Sequence, residues 1–229
     1  MPSFSARVKE DLCLVPLKTK PCICAELAGL AHACGTLSLG AGGFRLKLLT
    51  EHKSVVTRIF SLVKRLYDMD PQLRQSSSPL QKEIYELRIQ PADPPAFLED
   101  LAIPFALPFR IDSASPLFAA LLAEEGCRAA YLRGAILGGG VISDPNRDYH
   151  MEFISGSRAS AQAVIAVLAH FSLHAKCLER KSGFSAYLKD AQSISEVLTL
   201  TGAHSCMLEL ENARMVKDIR NTVNRQINF

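Results

Sequence analysis

Residues 26–38 read ELAGLAHACGTLS, and residues 131–143 read YLRGAILGGGVIS. Both stretches begin with small residues at helical spacing and end in a β-like run. They start 105 residues apart, and at this offset small residues recur at positions i, i+4 and i+8, which puts them in one narrow stripe on a helix. The aligned positions are Ala25, Gly29 and Ala33 in the first stretch and Ala130, Gly134 and Gly138 in the second.

A stripe of Ala and Gly lets another backbone come close, because no side chain holds it off. Two stripes with the same spacing therefore predict that the two helices pack on each other along a central seam. The alternative is that each stripe packs on the sheet of its own half.

The sequence around the two stretches repeats as well. Each half reads as α-β-β-α-β-β-α, which predicts an α+β fold with a pseudo-twofold axis. The predicted strands lie at 36–39, 44–49, 72–75 and 84–89 in the first half, and at 141–143, 149–155, 177–180 and 184–188 in the second. The predicted helices that follow the stripes lie at 54–67, 96–101, 159–171 and 194–200.

Turn residues connect the strands, with turns predicted at 76–79 and 181–183 among others. We assign residues 1–103 to the first half, the proline-rich region 104–126 to a linker, and residues 127–202 to the second half. Residues 203–229 form a C-terminal helical tail, predicted as one longer helix or a helix pair.

Composition sets limits on function. The chain has 229 residues, of which 48% are hydrophobic and 21% charged, which is typical of a globular protein. No apolar run is long enough for a membrane span, and residues 1–10 do not resemble a signal peptide. Seven cysteines, an odd number, indicate reduced thiols in the cytoplasm. The net charge of +3 is compatible with a nucleic-acid partner only if the basic residues cluster.

Residues 27–35 resemble the LAGLIDADG motif of homing endonucleases, and residues 132–140 resemble a second, weaker copy. The resemblance implies that the motif helices form the central seam and that two curved sheets make a saddle that straddles DNA. In these nucleases an acid just before the last glycine of each motif holds a divalent metal. The matching positions here are Cys34 and Gly139, neither of which supplies a carboxylate oxygen for Mg²⁺.

We therefore predict no catalytic residues, no metal site and no cofactor, and hence no enzymatic activity. Glu26 and Asp144 lie near the two motifs but not at the matching positions. A double variant, Cys34→Asp with Gly139→Asp, is expected to gain Mg²⁺ affinity if the seam has this geometry. His32, inside the first motif, is expected to be a packed or hydrogen-bonded seam residue.

More narrowly, nearly the whole chain, from Phe4 to Asn228, resembles the WhiA family of bacterial regulators. The resemblance is strongest at residues 131–135, 201–204 and 220–228. It implies control of sporulation, cell division and chromosome segregation, with promoter DNA as the partner and a nucleoid-associated location. Another transcription regulator or an RNA polymerase component is a further possible partner, whereas no membrane or small-molecule substrate is implied. Family members continue into a C-terminal helix-turn-helix domain, and this chain stops before it.

Basic side chains on the saddle and on the tail are the candidate DNA contacts, because they would bind phosphates in a salt-sensitive manner. On the strands they are Arg45, Lys47 and Arg88 in the first half and Arg180, Lys181 and Lys189 in the second. On the tail they are Arg214, Lys217, Arg220 and Arg225. Glu86 and Glu152 lie on the same strands and weaken the interpretation. The alternative is a protein-docking module, with DNA binding confined to the helix-turn-helix domain.

Overall fold

The computed structural model describes residues 2–77, 83–181 and 183–227. The helices are α1 (Phe4–Cys13), α2 (Lys20–Cys34), α3 (Lys53–Tyr67), α4 (Pro94–Asp100), α5 (Pro116–Leu121), α6 (Glu125–Gly139), α7 (Arg158–His170), α8 (Ala191–Thr201) and α9 (His204–Ile227). The strands are β1 (Gly35–Gly40), β2 (Gly43–Thr50), β3 (Gln72–Ser77), β4 (Glu83–Ile89), β5 (Gly140–Ile142), β6 (Met151–Ser155), β7 (Lys176–Arg180) and β8 (Gly183–Leu188). Part of the turn predicted at 76–79, and Ser182 and Asn228, lie outside the described residues.

The two halves share one topology. Each half forms a four-stranded antiparallel sheet, with strand order β1-β2-β4-β3 in the first and β5-β6-β8-β7 in the second. The motif helices α2 and α6 pack against each other, and each runs directly into the first strand of its sheet. The predicted α+β repeat with C-terminal helices is confirmed.

Alternating residues give each sheet a covered face and an open face. In β2, Leu46 and Leu48 are buried, whereas Arg45 and Lys47 point the other way and are half-buried. Helix α3 packs on β2 and β4 through its buried apolar stripe, so it covers the face opposite to Arg45. The open faces of both sheets therefore lie away from the outer helices.

Two helices, α1 and α5, lie where the sequence analysis predicted none, and the tail forms the single helix that was one of its two predicted alternatives. Helix α1 precedes the repeat, where no element was predicted, although Phe4, Val8 and Leu12 bury one face at i, i+4 and i+8 spacing. Its Ser5 hydroxyl accepts a hydrogen bond from the Ile142 backbone N–H of β5, at 3.3 Å. Residues 104–126 contain α5 and the first residues of α6. The tail is one helix of 24 residues.

All seven cysteines are free thiols.

Candidate nucleic-acid interface

Glycines let the two motif helices approach to backbone contact. A Cβ atom at Gly29 would lie 2.1 Å from the carbonyl oxygen of Tyr131, and one at Gly134 would lie 2.0 Å from that of Glu26. The 105-residue offset exchanges these two contacts, so they are related by the pseudo-twofold axis. A methyl group at either glycine would have to push the helices apart.

The other predicted seam positions lie along the same pair of helices. Ala25 and Ala130 are fully buried, and Ala33 is half-buried. A Cβ at Gly138 would lie 2.9 Å from the Ala33 Cβ. The seam thus extends to the ends of both helices.

A buried ion cluster crosses the seam near its start, and the sequence analysis did not identify it. The Glu26 carboxylate is fully buried and accepts hydrogen bonds from Arg58 of α3 at 2.6 Å and from Arg133 of α6 at 2.9 Å. Arg58 also donates to the Val15 carbonyl, and Arg133 to the Thr201 carbonyl. These hydrogen bonds offset the desolvation cost of the buried charges, and the cluster joins elements of both halves.

His32 makes a second polar contact across the seam. Its Nε2 lies 2.8 Å from the Leu101 carbonyl oxygen, so this nitrogen carries the proton, and Nδ1 accepts a hydrogen bond from the Tyr131 hydroxyl at 3.0 Å. Burial lowers the pKa of His32 to about 4. The imidazole is therefore neutral, and both of its nitrogens are occupied.

The two motif ends lack carboxylates, and the surroundings of Gly139 leave no room for one. Burial raises the pKa of the Cys34 thiol to about 11, and the thiol donates to the Leu30 carbonyl at 3.4 Å. A Cβ at Gly139 would lie 2.0 Å from the carbonyl oxygen of Ile154 in β6. The double variant predicted above is therefore the wrong test, because Gly139→Asp would clash with a strand backbone. Within the described residues, no group of three or more His, Cys, Asp or Glu side chains is placed to hold a metal ion.

A cavity of about 350 Å³ opens beside these motif ends. Gly139 and Cys34 line it together with Val141 and Ile154 from the open face of the second sheet. Lys9 of α1 also lines it and is only 8% exposed. Lys9 was not a candidate, because nothing in the spacing of α1 indicates that its charged side chain is buried at the seam.

The first sheet carries basic residues on its open face. Lys47 and Arg88 are directly opposite each other in register, so their side chains are neighbours. Glu86 forms ion pairs with both, and the Lys47 pair is long, at 4.0 Å. Arg45 forms no ion pair with a described residue. Arg74 of β3, which was not predicted, pairs with Glu86 in register and adds a positive charge to this face.

The second sheet has a different open face. The Arg180 guanidinium binds the buried Glu152 carboxylate, which His150 also contacts. The remaining open-face side chains include Val141, Ile154 and Leu178, which are 48%, 39% and 41% exposed. Lys176 of β7 is opposite Tyr187 in register and adds an exposed cation to this face. The structure thus pairs Arg180 internally, and the face combines exposed apolar side chains with the Lys176 cation.

Two further candidates on the second half lie beside the sheet. Lys181 is exposed in the turn after β7. Lys189 follows β8, with its Nζ 5.3 Å from the centre of the Tyr187 ring. Neither residue lies within the paired strands that form the open face of the second sheet.

The tail candidates divide into two groups. Arg214 donates to Gln192 of α8 at 2.9 Å, and the Lys217 ammonium lies 4.4 Å from the centre of the Tyr149 ring. These two side chains therefore hold α9 against the second half. Arg220 and Arg225 are exposed.

Among the helices within residues 2–77, 83–181 and 183–227, none is both long and apolar enough to cross a membrane.

Two family models match the two halves in chain order. The WhiA N-terminal LAGLIDADG-like domain matches residues 20–103, and the WhiA LAGLIDADG-like domain matches residues 128–220. The chain is 38% identical over 233 residues to the probable cell division protein WhiA of Alkaliphilus oremlandii, with 99% of this chain and 72% of that protein covered. It is 36% identical to the protein of the same name in Brevibacillus brevis, covering 97% of this chain and 70% of that one.

Solved structures share the fold. Full-length DUF199/WhiA from Thermatoga maritima superposes with a TM-score of 0.72 at 20% identity, covering 99% of this chain and 75% of that one. The homing endonuclease I-WcaI bound to its DNA recognition sequence superposes with a TM-score of 0.55 at 14% identity, covering 88% and 97%. At these identities the likeness shows a common LAGLIDADG architecture.

Proposed function

The chain belongs to the WhiA family, and from this premise we propose that it is a non-catalytic, DNA-binding transcription regulator of cell division, sporulation and chromosome segregation. The names of its relatives support the cell-division role. We further propose that it acts at promoter DNA in the nucleoid.

One observation carries the proposal: the seam and both sheets of the saddle are present, whereas neither motif end has an acid. Cys34 is a neutral thiol, and Gly139 packs against the Ile154 carbonyl. Without carboxylate ligands these two positions cannot hold Mg²⁺ beside a phosphate. The saddle is therefore left with a binding role.

The first sheet is the proposed DNA contact. Arg45, Lys47 and Arg88 share its open face, and Glu86 neutralises only part of their charge. Contacts of this kind bind phosphates with little regard to sequence and weaken as salt rises. The exposed Arg220 and Arg225 of α9 are the proposed additional contacts.

The test is a titration of a labelled duplex at two salt concentrations with Mg²⁺ present. We expect the duplex to bind and stay intact, and Arg45→Glu with Lys47→Glu to weaken binding about tenfold or more and to reduce the salt slope. Arg65→Glu is the control, because Arg65 is exposed on α3, on the covered side of the same sheet. Cleavage of the duplex, or an equal loss in the control, would contradict the proposal.

A second candidate function is docking of a protein partner, such as another transcription regulator or an RNA polymerase component. Its support is the group of exposed apolar side chains on the open face of the second sheet, namely Val141, Ile154 and Leu178. The same titration separates the two functions. No binding by the wild-type chain at low salt would favour docking.

A further inference from the structure

Lys9 lies on the floor of the saddle, between the two sheets. It lines the cavity at the motif ends together with Val141 and Ile154 from the second sheet. It also lines an adjoining cavity of about 410 Å³ with Leu49 and Ile84. These four apolar residues all belong to open faces, as the strand registers show. Lys9 is therefore a cation at the point where the two open faces meet.

Most of the Lys9 residue is covered, and none of the ion pairs found among the described residues includes its ammonium. Lys9 as a residue is 8% exposed, and its Nζ is not one of the fully buried side-chain atoms of the described residues that lack a hydrogen-bond partner. Burial lowers the pKa of Lys9 from its ordinary value, and the nearby Cys34 and Glu51 only partly oppose this effect. The covered stem therefore ends in an ammonium that is open to the cavity.

The backbone around Lys9 explains how the charge is tolerated but does not satisfy it. Helices α2 and α6 both end at this cavity, at Cys34 and Gly139. Helix C-termini carry partial negative charge, which stabilises a nearby cation. Three ammonium N–H donors remain available to an anion that enters the cavity from the open side.

We propose that Lys9 binds a backbone phosphate of duplex DNA at the centre of the saddle, between the motif ends. This inference rests on the proposed DNA-binding function and adds the point at which the duplex is held. A phosphodiester carries one negative charge and oxygen acceptors, which match a lysine ammonium acting as a point charge. The contact requires no metal ion, so EDTA leaves it unchanged.

The first test compares Lys9→Met with Lys9→Arg in the duplex titration. Methionine keeps most of the buried stem and removes the charge, so we expect affinity to fall about tenfold and the salt slope to decrease by about one. Arginine keeps the charge and should retain most of the affinity. Lys64→Met is the matched control, because Lys64 is exposed on α3, on the covered side of the first sheet.

The outcomes separate the inference from the function on which it rests. The inference fails while the function stands if two results are found together. Wild type binds duplex and the double variant Arg45→Glu with Lys47→Glu binds it weakly, whereas Lys9→Met matches wild type in affinity and in salt slope. Lys9 is then not a phosphate contact. If wild type does not bind duplex at low salt, the proposed function fails, and the Lys9 contact fails with it.

A second measurement uses the wild-type chain and does not depend on the folding of a variant. Reductive methylation of lysines, followed by mass spectrometry, is carried out with and without duplex. We expect duplex to slow the modification of Lys9 and to leave Lys64 unchanged. Equal rates at Lys9 in both conditions, under conditions in which duplex is bound, would overturn the inference.

Discussion

At the scale of the residue, His32 shows how burial fixes the state of a group that would otherwise titrate. The imidazole donates to the Leu101 carbonyl and accepts from the Tyr131 hydroxyl. A second proton on the ring would break the hydrogen bond from Tyr131 and would leave a charge in the seam. The neutral form is therefore the form that the fold requires.

The stability of the protein should consequently depend on pH through His32. Its pKa is about 4 in the folded chain and about 6.5 when exposed, so between these values the unfolded chain binds a proton that the folded chain does not. The free energy of unfolding should rise by about 3 kcal/mol as pH increases through this window and then level off. Urea denaturation of wild type and His32→Gln across the window checks this, because the variant cannot titrate. Parallel pH profiles would show that His32 does not cause the dependence.

At the scale of the element, backbone contact fixes the packing of α2 on α6. The Gly29 Cβ position lies 2.1 Å from a carbonyl oxygen, which is too short for any side chain. The two helices can therefore pack in only one arrangement, and they cannot move apart without losing the buried contacts along the seam.

Gly29→Ala should therefore destabilise the protein by about 1–3 kcal/mol, because the helices must separate to admit the methyl group. Gly40→Ala is the control, since nothing lies within 4 Å of a Cβ at the end of β1. Thermal unfolding of both variants is the measurement. A Gly29→Ala midpoint equal to that of the control would mean that the helices can separate at no cost.

The elements also show how far the sequence alone can predict this fold. Periodicity and turn residues located the motif helices and all eight strands of the described structure, because each of these signals is local. Helix α1 was not predicted, although its three apolar positions are regularly spaced. The partners of Glu26 lie 32 and 107 residues away, so no spacing in the sequence reveals them. The burial of Lys9 likewise depends on three-dimensional packing.

At the scale of the whole molecule, the pseudo-twofold symmetry of the backbone does not extend to the chemistry of the sheets. Lys47 in β2 and Glu152 in β6 are equivalent at the 105-residue offset, yet one is basic and the other is a buried acid. Arg180 is engaged by that acid. The saddle therefore presents a more basic first half and a more apolar second half, on which Lys176 is an exposed cation.

DNA binding should follow this asymmetry. Arg45→Gln should weaken duplex binding about threefold and lower the salt slope, because it removes one phosphate contact from the basic half. Leu178→Glu makes the same change in net charge on the open face of the other half, and we expect binding to stay within about twofold of wild type. Fluorescence anisotropy titrations at matched salt measure both. Equal losses would mean that the duplex lies across both sheets.

The polar contacts at the seam determine which halves can pair. Glu26 needs Arg133, and His32 needs Tyr131, and in each case the two members come from different halves. Two first halves brought together would place two Glu26 carboxylates at one interface without Arg133, and two second halves would leave Tyr131 without its imidazole. The glycines alone would permit such homotypic pairing, since each motif helix carries both the glycine and the carbonyl position that the contact uses. The seam therefore selects unlike halves, and this selection favours a self-contained monomer over a symmetric assembly of identical halves.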